Sequence, residues 1–523
     1  MAWASCPCHE ADAGREKHQG EFMNRREFLK AVPAAVAVGW GGAARAAKQG
    51  GTRRPNVVWI VSEDMGADLG CWGVKVHTPR LDGLAAEGMR FTRVFGTASV
   101  CMPNRTAMAT GVTQTTLGSV TMRPPEKFRR PLPPGVLPLP AVLRGLGYFC
   151  GNITDRAGIG SRAKDDWNFR LEGKPWDTHK LADLKARQPF YAQFNFPMAH
   201  RPFRRDAARP VNPATVNLPP CYPDHPVNRR SWADYLESVQ HLDRGVGRVL
   251  DWLRREGLAG STIVFFLSDH GEAFLRGKYF LYDRSLNQPL IVHWPRACRP
   301  PADFRPGAAS GRLIAGVDLP AQTVACAGGT VPTWMHGRAF LGPQARPREE
   351  VFSAADHIGG SKLKSRSVRT ARYKYIRNYN TSLSVRSAST EYRKACHPMY
   401  PLLEILAERG ELKPLHRTLL LDRLPPEELY DLAADPHELH NLAAEPAHAE
   451  RKRDLRRRLE QRVRTSGDLG FEPLDPEHAA FFDTYRRTQR RKLRGKQEQL
   501  AATVRRAVEQ AAAAAASGKA KRP

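Results

Sequence analysis

The sequence predicts an α/β protein whose central sheet is largely parallel and flanked by helices. Three continuous apolar runs, residues 56–61, 190–196 and 263–268, are typical of strands that are buried on both faces. Polar residues follow each run, and residues 232–255 place apolar side chains on one face of a helix. Sites in open α/β sheets are built at the carboxyl ends of strands. We therefore expect the polar residues after these runs to form one site.

The chain of 523 residues is too long for one ordinary hydrophobic core, so we expect two lobes. We predict a catalytic domain over residues 53–345 and a smaller α+β subdomain over residues 346–470, where shorter strand-like pieces occur. Residues 471–523 are rich in Arg, Lys and Ala. We interpret this last segment as a basic, low-complexity tail in solvent.

The composition is strongly basic, with 81 Lys and Arg against 53 Asp and Glu and a formal net charge of +28. Such a charge favours polyanionic partners, whether a sulfated glycan, nucleic acid or an anionic membrane. The alternative is an Arg-rich composition that only makes the surface soluble. Charge alone names no substrate, and we expect no specific nucleic-acid partner.

The N-terminal segment has the pattern of an export signal. Arg25 and Arg26 precede an Ala-rich apolar stretch, residues 31–42, and an Ala-Arg-Ala cleavage pattern follows. Residues 23–46 resemble a twin-arginine signal peptide, and residues 1–22 are a doubtful extension before it. This predicts a periplasmic or secreted protein that uses the twin-arginine translocase. The stretch is too short to span a bilayer, so we expect no transmembrane anchor.

A short motif begins at Cys101, directly after the apolar, β-branched residues 91–100. Pro103 stands two positions after this cysteine and Arg105 four positions after it. Taken alone, the pattern fits a buried free cysteine equally well. The motif also resembles the signature of the type I sulfatases, in which the cysteine is oxidised to formylglycine. That resemblance implies a formylglycine-generating enzyme as a partner.

The resemblance to the sulfatase family extends over most of residues 54–445. Its further landmarks are residues 78–82, 318–320 and 428–436, which agree with the family in order and spacing. The resemblance implies the alkaline-phosphatase-like fold and release of sulfate from a sulfated saccharide. Residues 62–66 and 164–169 are similar to the branch of N-sulfoglucosamine and heparan-type sulfatases.

The resemblance also implies one divalent cation, most often Ca²⁺, held by four side chains and the modified residue 101. These four side chains are Glu63, Asp64, Asp269 and His270. Paired carboxylates suit a hard cation that takes several oxygen ligands. Imidazole is a poor calcium ligand, so His270 could instead bind the sulfate or a water. The alternative is that these strand-end carboxylates only cap loops.

Five more residues complete the predicted site. Lys164 and Lys278 resemble the family's active-site lysines that bind sulfate, although a lysine in solvent is the alternative for Lys278. Arg105 would fix the modified residue through its forked donors. His200 follows the second apolar run, and we expect it to protonate the leaving group rather than fill the core. Asp166 stands where other branches have histidine, and we assign it to substrate binding.

Two other functions are compatible with the same fold. One is a phosphate or phosphonate monoester hydrolase, and relative activity on aryl sulfate and aryl phosphate separates it from a sulfatase. The other is an inactive homologue that binds sulfated glycans through its basic surface. The intact motif at Cys101 and the presence of Asp269 and Lys278 argue against the inactive homologue.

Overall fold

The computed structural model describes residues 54–358 and 360–517, so the predicted signal peptide and the extension before it lie outside the described residues. A seven-stranded sheet forms the centre of this part of the chain, in the order β3-β4-β1-β5-β6-β2-β7. Its strands are β1 Asn56–Ser62, β2 Met89–Phe95, β3 Phe149–Ile153, β4 Phe190–Phe196, β5 Thr262–Ser268, β6 Leu290–His293 and β7 Ala309–Ala315.

The middle of this sheet is parallel. Strand β1 lies between β4 and β5 and runs parallel to both, with Ser62 in register with Phe196 and Ser268. Strand β6 is antiparallel to its neighbours β5 and β2. Every residue of β1, β4 and β5 is buried, which explains why all three strands are continuous apolar runs. The three carboxyl ends therefore meet at one edge of the sheet, as predicted.

The helices of the described residues flank this sheet and a second one. They are α1 Pro79–Glu87, α2 Cys101–Thr110, α3 Leu139–Gly145, α4 Ala182–Ala186, α5 Pro226–Arg255, α6 Asp283–Leu286, α7 Asp318–Cys326, α8 Glu391–Cys396, α9 Met399–Glu408, α10 Pro414–Arg417, α11 Ala449–Thr465 and α12 Pro476–Ala516. The predicted helix at residues 232–255 is the larger part of α5.

Both faces of the central sheet are covered. Val58 and Ile60 pack into a core that includes residues of α1 and α5, whereas Val57 and Trp59 pack into a core that includes residues of α3 and α7. Successive side chains of a strand point to opposite faces, so one strand supplies both cores. This confirms the predicted α/β class with a largely parallel, helix-flanked sheet.

The strand before the cysteine motif is shorter than the predicted 91–100. Strand β2 ends at Phe95, and α2 begins at Cys101. The side chain of Asn104 accepts hydrogen bonds from the backbone N–H groups of Thr97, at 2.9 Å, and Ala98, at 3.2 Å. These bonds fold the connecting loop over the first turn of α2 instead of leaving it in the sheet.

The smaller second lobe contains an antiparallel sheet in the order β11-β10-β9-β8. Its strands are β8 Val351–Ile358, β9 Ser361–Arg369, β10 Tyr373–Asn378 and β11 Glu427–Asp431. Helix α11 packs on one face of this sheet, where Leu455 and Leu459 join Val368, Tyr375 and Leu429 in a small core.

The C-terminal segment differs from the expected tail in solvent. Residues 476–516 form the helix α12, which contacts α8 and α9. Its buried apolar residues are Phe482, Leu493, Val504 and Val508. The first three are spaced by eleven residues, or about three helical turns, so they lie on one face of the helix. These few apolar residues pack α12 against α8 and α9, although the composition of α12 alone predicts a polar segment.

No helix within the described residues is long and apolar enough to cross a membrane. In this part of the chain, free thiols are found at Cys71, Cys101, Cys150, Cys221, Cys326 and Cys396, and four of them are buried.

Candidate active site

Three elements deliver side chains to the same edge of the central sheet. Asp64 follows β1, Asp269 follows β5, and Cys101 is the first residue of α2. The backbone N–H of Asp64 donates to Oδ1 of Asp269 at 3.0 Å, and the N–H of Asp269 donates to the carbonyl of Ser62 at 3.1 Å. These bonds join the ends of the two parallel strands and fix their carboxylates next to each other.

A buried cluster of potential metal ligands forms at this junction. The ligand atoms of Asp64, Cys101, Asp269 and His270 all lie within 4.8 Å of one another. Glu63, which we predicted as a fifth member, is not part of the cluster; its carboxylate pairs with Lys164 Nζ at 2.8 Å. Four of the five predicted metal-site residues are therefore brought together.

The donor set of this cluster fits a divalent cation. Nδ1 of His270 lies 2.8 Å from the carbonyl oxygen of Gly271. Because a carbonyl oxygen can only accept, Nδ1 carries the hydrogen and donates it. Its Nε2 faces the cluster, 3.1 Å from Oδ1 of Asp64. Burial would lower the pKa of His270, but Asp269 and the other anions of the cluster raise it to about 10, so the imidazole is a cation here. A bound metal would take the place of the Nε2 proton, and the nitrogen would then be a ligand beside two carboxylates.

The carboxylates of the cluster remain charged despite their burial. Burial alone would raise the pKa of Asp269, but His270 and Arg105 hold it below its ordinary value. Burial would likewise raise the pKa of Asp64, and Lys278 and nearby histidines hold it well below its ordinary value. Two ionised carboxylates are thus available to neutralise a cation.

The sulfur of Cys101 lies in a cationic environment at the N-terminus of α2. It is 3.1 Å from Nζ of Lys278 and 3.4 Å from Nε2 of His270. The first N–H groups of a helix have no partner within the helix and favour an anion nearby. The location of residue 101 therefore suits a group on which negative charge develops.

Arg105 donates no hydrogen bond to the unmodified Cys101 in the described part of the chain, and its role toward the modified residue stays a prediction. Its Nε donates to Oδ2 of Asp269 at 3.0 Å, and its Nη1 donates to Oδ1 of Asn195 at 2.9 Å. Arg105 follows Cys101 by one helical turn, so its long side chain passes the cysteine and reaches the ends of β4 and β5. Its role in this structure is to hold a carboxylate of the cluster.

Lys278 is buried, and hydrogen bonds hold both its backbone and its ammonium group. Its backbone N–H donates to the carbonyl of Glu272 at 2.9 Å, and its own carbonyl accepts a hydrogen bond from Arg393. Nζ donates to Oδ1 of Asp64 at 2.7 Å. Burial would lower the pKa of Lys278, but Asp64 raises it well above its ordinary value. The side chain is therefore a permanent cation next to Cys101.

His200 faces the site from the loop after β4. Its Nδ1 donates to the carbonyl of Arg201 at 2.6 Å, and its Nε2 lies 3.6 Å from Oδ2 of Asp64. The side chain is 29% exposed, in contrast to the fully buried His270. His200 can therefore exchange a proton with a bound molecule through Nε2.

Lys164 and Asp166 lie beside Glu63. Nζ of Lys164 is 2.8 Å from Glu63 and 3.6 Å from Asp166, and Arg123 approaches Asp166 at 3.7 Å. Burial would lower the pKa of Lys164, yet its anionic neighbours raise it. One carboxylate oxygen of Asp166, Oδ2, is buried and accepts no hydrogen bond within the described residues. The cation nearest to this oxygen is Nζ of Lys164, at 3.6 Å, so it belongs to the ion pair with that lysine.

A pocket of about 440 Å³ opens beside the cysteine. Asp64, Cys101, His200 and Lys278 line it, whereas Lys164 and Asp166 do not. The sequence analysis did not identify several further lining residues, which include Arg123, Tyr392, Arg393, Phe481, Tyr485 and Arg486. The last three belong to α12, and the only sequence signal for them was aromatic residues within a basic segment.

The fold and this site together define a hydrolase for an anionic ester. The family model of the sulfatases matches residues 55–329. An ulvan-active sulfatase of Formosa agariphila is 30% identical over 467 residues, which cover 79% of this chain and 76% of that protein. The chain therefore belongs to the sulfatase family, and it is a sulfatase enzyme with the alkaline-phosphatase-like fold.

Solved structures share this fold at low sequence identity. A 2-O GAG sulfatase superposes with a TM-score of 0.57 at 18% identity, over 82% of this chain and 96% of that chain. A phosphonate monoester hydrolase of Silicibacter pomeroyi superposes with a TM-score of 0.55, also at 18% identity, over 81% and 98% of the two chains. Both comparisons concern the architecture alone.

Proposed function

We propose that this sulfatase releases sulfate from a sulfated saccharide by means of a formylglycine made from Cys101 and one divalent cation. The observation that supports this most directly is the set of groups around the cysteine sulfur. A lysine ammonium lies 3.1 Å from the sulfur, and two carboxylates and an imidazole form a metal-type cluster with it. A free cysteine kept only for packing needs no such surroundings.

Formylglycine at position 101 would supply a hydrated aldehyde, and one of its hydroxyls would attack the sulfur of the sulfate ester and displace the sugar alcohol. Collapse of the resulting enzyme ester to the aldehyde would then release sulfate. The chain's own residues would orient and stabilise the reacting group. Lys278 binds the sulfate oxygens and opposes the charge that develops on them. Arg105 keeps Asp269 in position and ionised.

His200 is the proposed general acid. Its Nδ1 is already committed to the carbonyl of Arg201, so the proton for the leaving oxygen would come from Nε2. This nitrogen faces the pocket that contains residue 101, where the leaving alcohol would depart. A partly exposed imidazole can regain its proton from solvent after each turnover.

Asp64, Asp269 and His270 would hold the cation together with residue 101, and the cation would supply charge neutralisation at the sulfate. We propose Ca²⁺ first, because the carboxylates suit a hard cation. The imidazole of His270 instead favours a softer metal such as Zn²⁺. Metal analysis of the purified protein decides between these ions.

For the substrate, we propose a sulfated polysaccharide fragment. The name of the 30% identical relative supports an ulvan-type saccharide. The ion pair of Asp166 with Lys164, at 3.6 Å, supports contact with a hydroxyl or amine on the sugar and keeps the N-sulfoglucosamine type as the second candidate. We further propose export to the periplasm or beyond by the twin-arginine route.

Two assays test the proposed function. The first compares turnover of 4-nitrophenyl sulfate and 4-nitrophenyl phosphate, and we expect a preference for the sulfate. A preference for the phosphate or a phosphonate ester would favour the alternative hydrolase. The second measures sulfate release from defined ulvan, heparin and chondroitin oligosaccharides. Release from ulvan alone would reject the glucosamine candidate, and release from heparin fragments alone would reject the ulvan candidate.

A further inference from the structure

The pocket beside Cys101 contains more positive charge than a single sulfate ester requires. Five Lys and Arg side chains line it, against two carboxylates. One carboxylate, Asp64, is paired with Lys278 at 2.7 Å. The other, Glu391, is paired at 3.1 Å with Lys394, which does not line the pocket. Four guanidinium groups therefore have no carboxylate partner among the residues that line the pocket: those of Arg123, Arg201, Arg393 and Arg486.

Two of these groups are buried without a carboxylate partner in the described part of the chain. Arg201 and Arg393 are only 8% and 2% exposed, and Nε of each donates to no partner there. Arg201 donates to the carbonyl of Cys396 and the hydroxyl of Ser231, and Arg393 donates to carbonyl oxygens. Burial, together with the nearby Arg393, lowers the pKa of Arg201 to about 10. A buried charge without a counter-ion is costly, so an anion in the pocket would stabilise both.

The other two groups are accessible from the pocket. The side chain of Arg123 is 64% exposed, and its nearest carboxylate, Asp166, is 3.7 Å away. Arg486 extends from α12 and donates to two backbone carbonyls, at 3.3 and 3.0 Å, which leaves it without a carboxylate partner among the described residues. Tyr485, which precedes it, is 41% exposed and also lines the pocket, where its ring can pack on a sugar.

We propose that the pocket binds a second anionic group of the saccharide, a carboxylate or another sulfate, through Arg123 and Arg486. The buried guanidinium groups of Arg201 and Arg393 supply fixed positive charge in the wall of the pocket, which also attracts this anionic group. Guanidinium groups bind both anions through paired N–H donors. The inference rests on the proposed function, because it names the class of saccharide taken by the same site. That class has at least one negative charge besides the sulfate ester that is hydrolysed.

The first test uses the wild-type enzyme and three forms of one sulfated disaccharide. The first form has a uronate carboxylate next to the sulfated sugar, the second has this carboxylate reduced to an alcohol, and the third has a second sulfate in its place. We expect kcat/KM for the reduced form to be lower by about tenfold or more, mostly through KM. Equal kcat/KM for the three forms overturns the inference. Hydrolysis of the reduced form still reports sulfatase activity, so this result leaves the proposed function intact.

The second test compares neighbouring arginines on the same helix. Arg486→Gln should bring the kcat/KM ratio of the carboxylate and reduced forms close to one, and Arg123→Gln should do the same. Arg487→Gln is the matched control, because Arg487 is exposed and does not line the pocket. An equal fall of the ratio in Arg487→Gln would show a general charge effect and overturn the proposed subsite.

A binding measurement separates the subsite from turnover. Calorimetry with the Cys101→Ala variant, which has no nucleophile, should give a lower Kd for the carboxylate and disulfated forms than for the reduced form. We expect a difference of about tenfold at physiological salt. Equal Kd values for the three forms overturn the inference even where the wild-type enzyme hydrolyses none of them.

Discussion

Arg105 and Asp269 form a buried ion pair, with Nε of the arginine 3.0 Å from Oδ2 of the carboxylate and both side chains almost fully enclosed. The pair ties the helix that begins at Cys101 to the end of β5. It also leaves Oδ1 of the same carboxylate facing Asp64 and the cluster. The arginine thus orients a metal-type ligand from the same helix that begins with Cys101.

Metal content should depend on Asp64 but not on its neighbour in the sequence. We expect Asp64→Asn and Asp269→Asn to lose the cation and nearly all activity, because each removes a charged ligand. Glu63→Gln is the matched control, since Glu63 pairs with Lys164 outside the cluster. Metal per chain is measured by elemental analysis after gel filtration, and chelation should abolish wild-type turnover. Normal metal content in Asp269→Asn, or its loss in Glu63→Gln, would contradict the proposed ligand set.

Loss of His200 should matter most for substrates with a poor leaving group. An alcohol on a sugar needs a proton to depart, whereas 4-nitrophenolate does not. We expect His200→Gln to lower kcat by about 10²–10⁴-fold on a saccharide and by far less on 4-nitrophenyl sulfate. Equal losses on both substrates would assign His200 to binding instead.

Arg366 should be important for the stability of the second lobe. Its guanidinium is buried between two carboxylates, 2.9 Å from Asp356 and 2.6 Å from Asp468. Arg366→Met would leave both carboxylates buried without their cation, so we expect a loss of about 3–5 kcal/mol in the free energy of unfolding. The more exposed pair of Arg80 and Asp251 provides the control, and Arg80→Met should cost less than about 1 kcal/mol. Denaturant titration measures both, and equal losses would contradict this account.

The sequence was sufficient to predict the sheet and most of the metal-type cluster. Polar residues directly after buried parallel strands must meet at one edge, which places Asp64 next to Asp269 and His270. Pro103 is compatible with the first turn of the helix that begins at Cys101, where no backbone N–H donor is needed. Glu63 pairs with Lys164 in this structure, and its role as a metal ligand stays a prediction.

The wall of the pocket could not be predicted in the same way. Helix α12 has only one apolar residue in about three turns along its buried stripe, so its composition indicates a segment in solvent. Its docking depends on α8 and α9, which lie far away in the sequence. Arg123 and Arg486 meet the pocket only through this tertiary packing, and no local pattern marks either residue.

The most direct test of the account is the mass of the peptide that contains Cys101, measured together with activity. After co-expression with a formylglycine-generating enzyme, the peptide should be lighter than its thiol form by about 18 Da, because an aldehyde oxygen replaces the sulfur. Sulfatase turnover should rise in proportion to the converted fraction, and Cys101→Ala should have none. Full activity with a wholly unmodified Cys101 peptide would contradict the account.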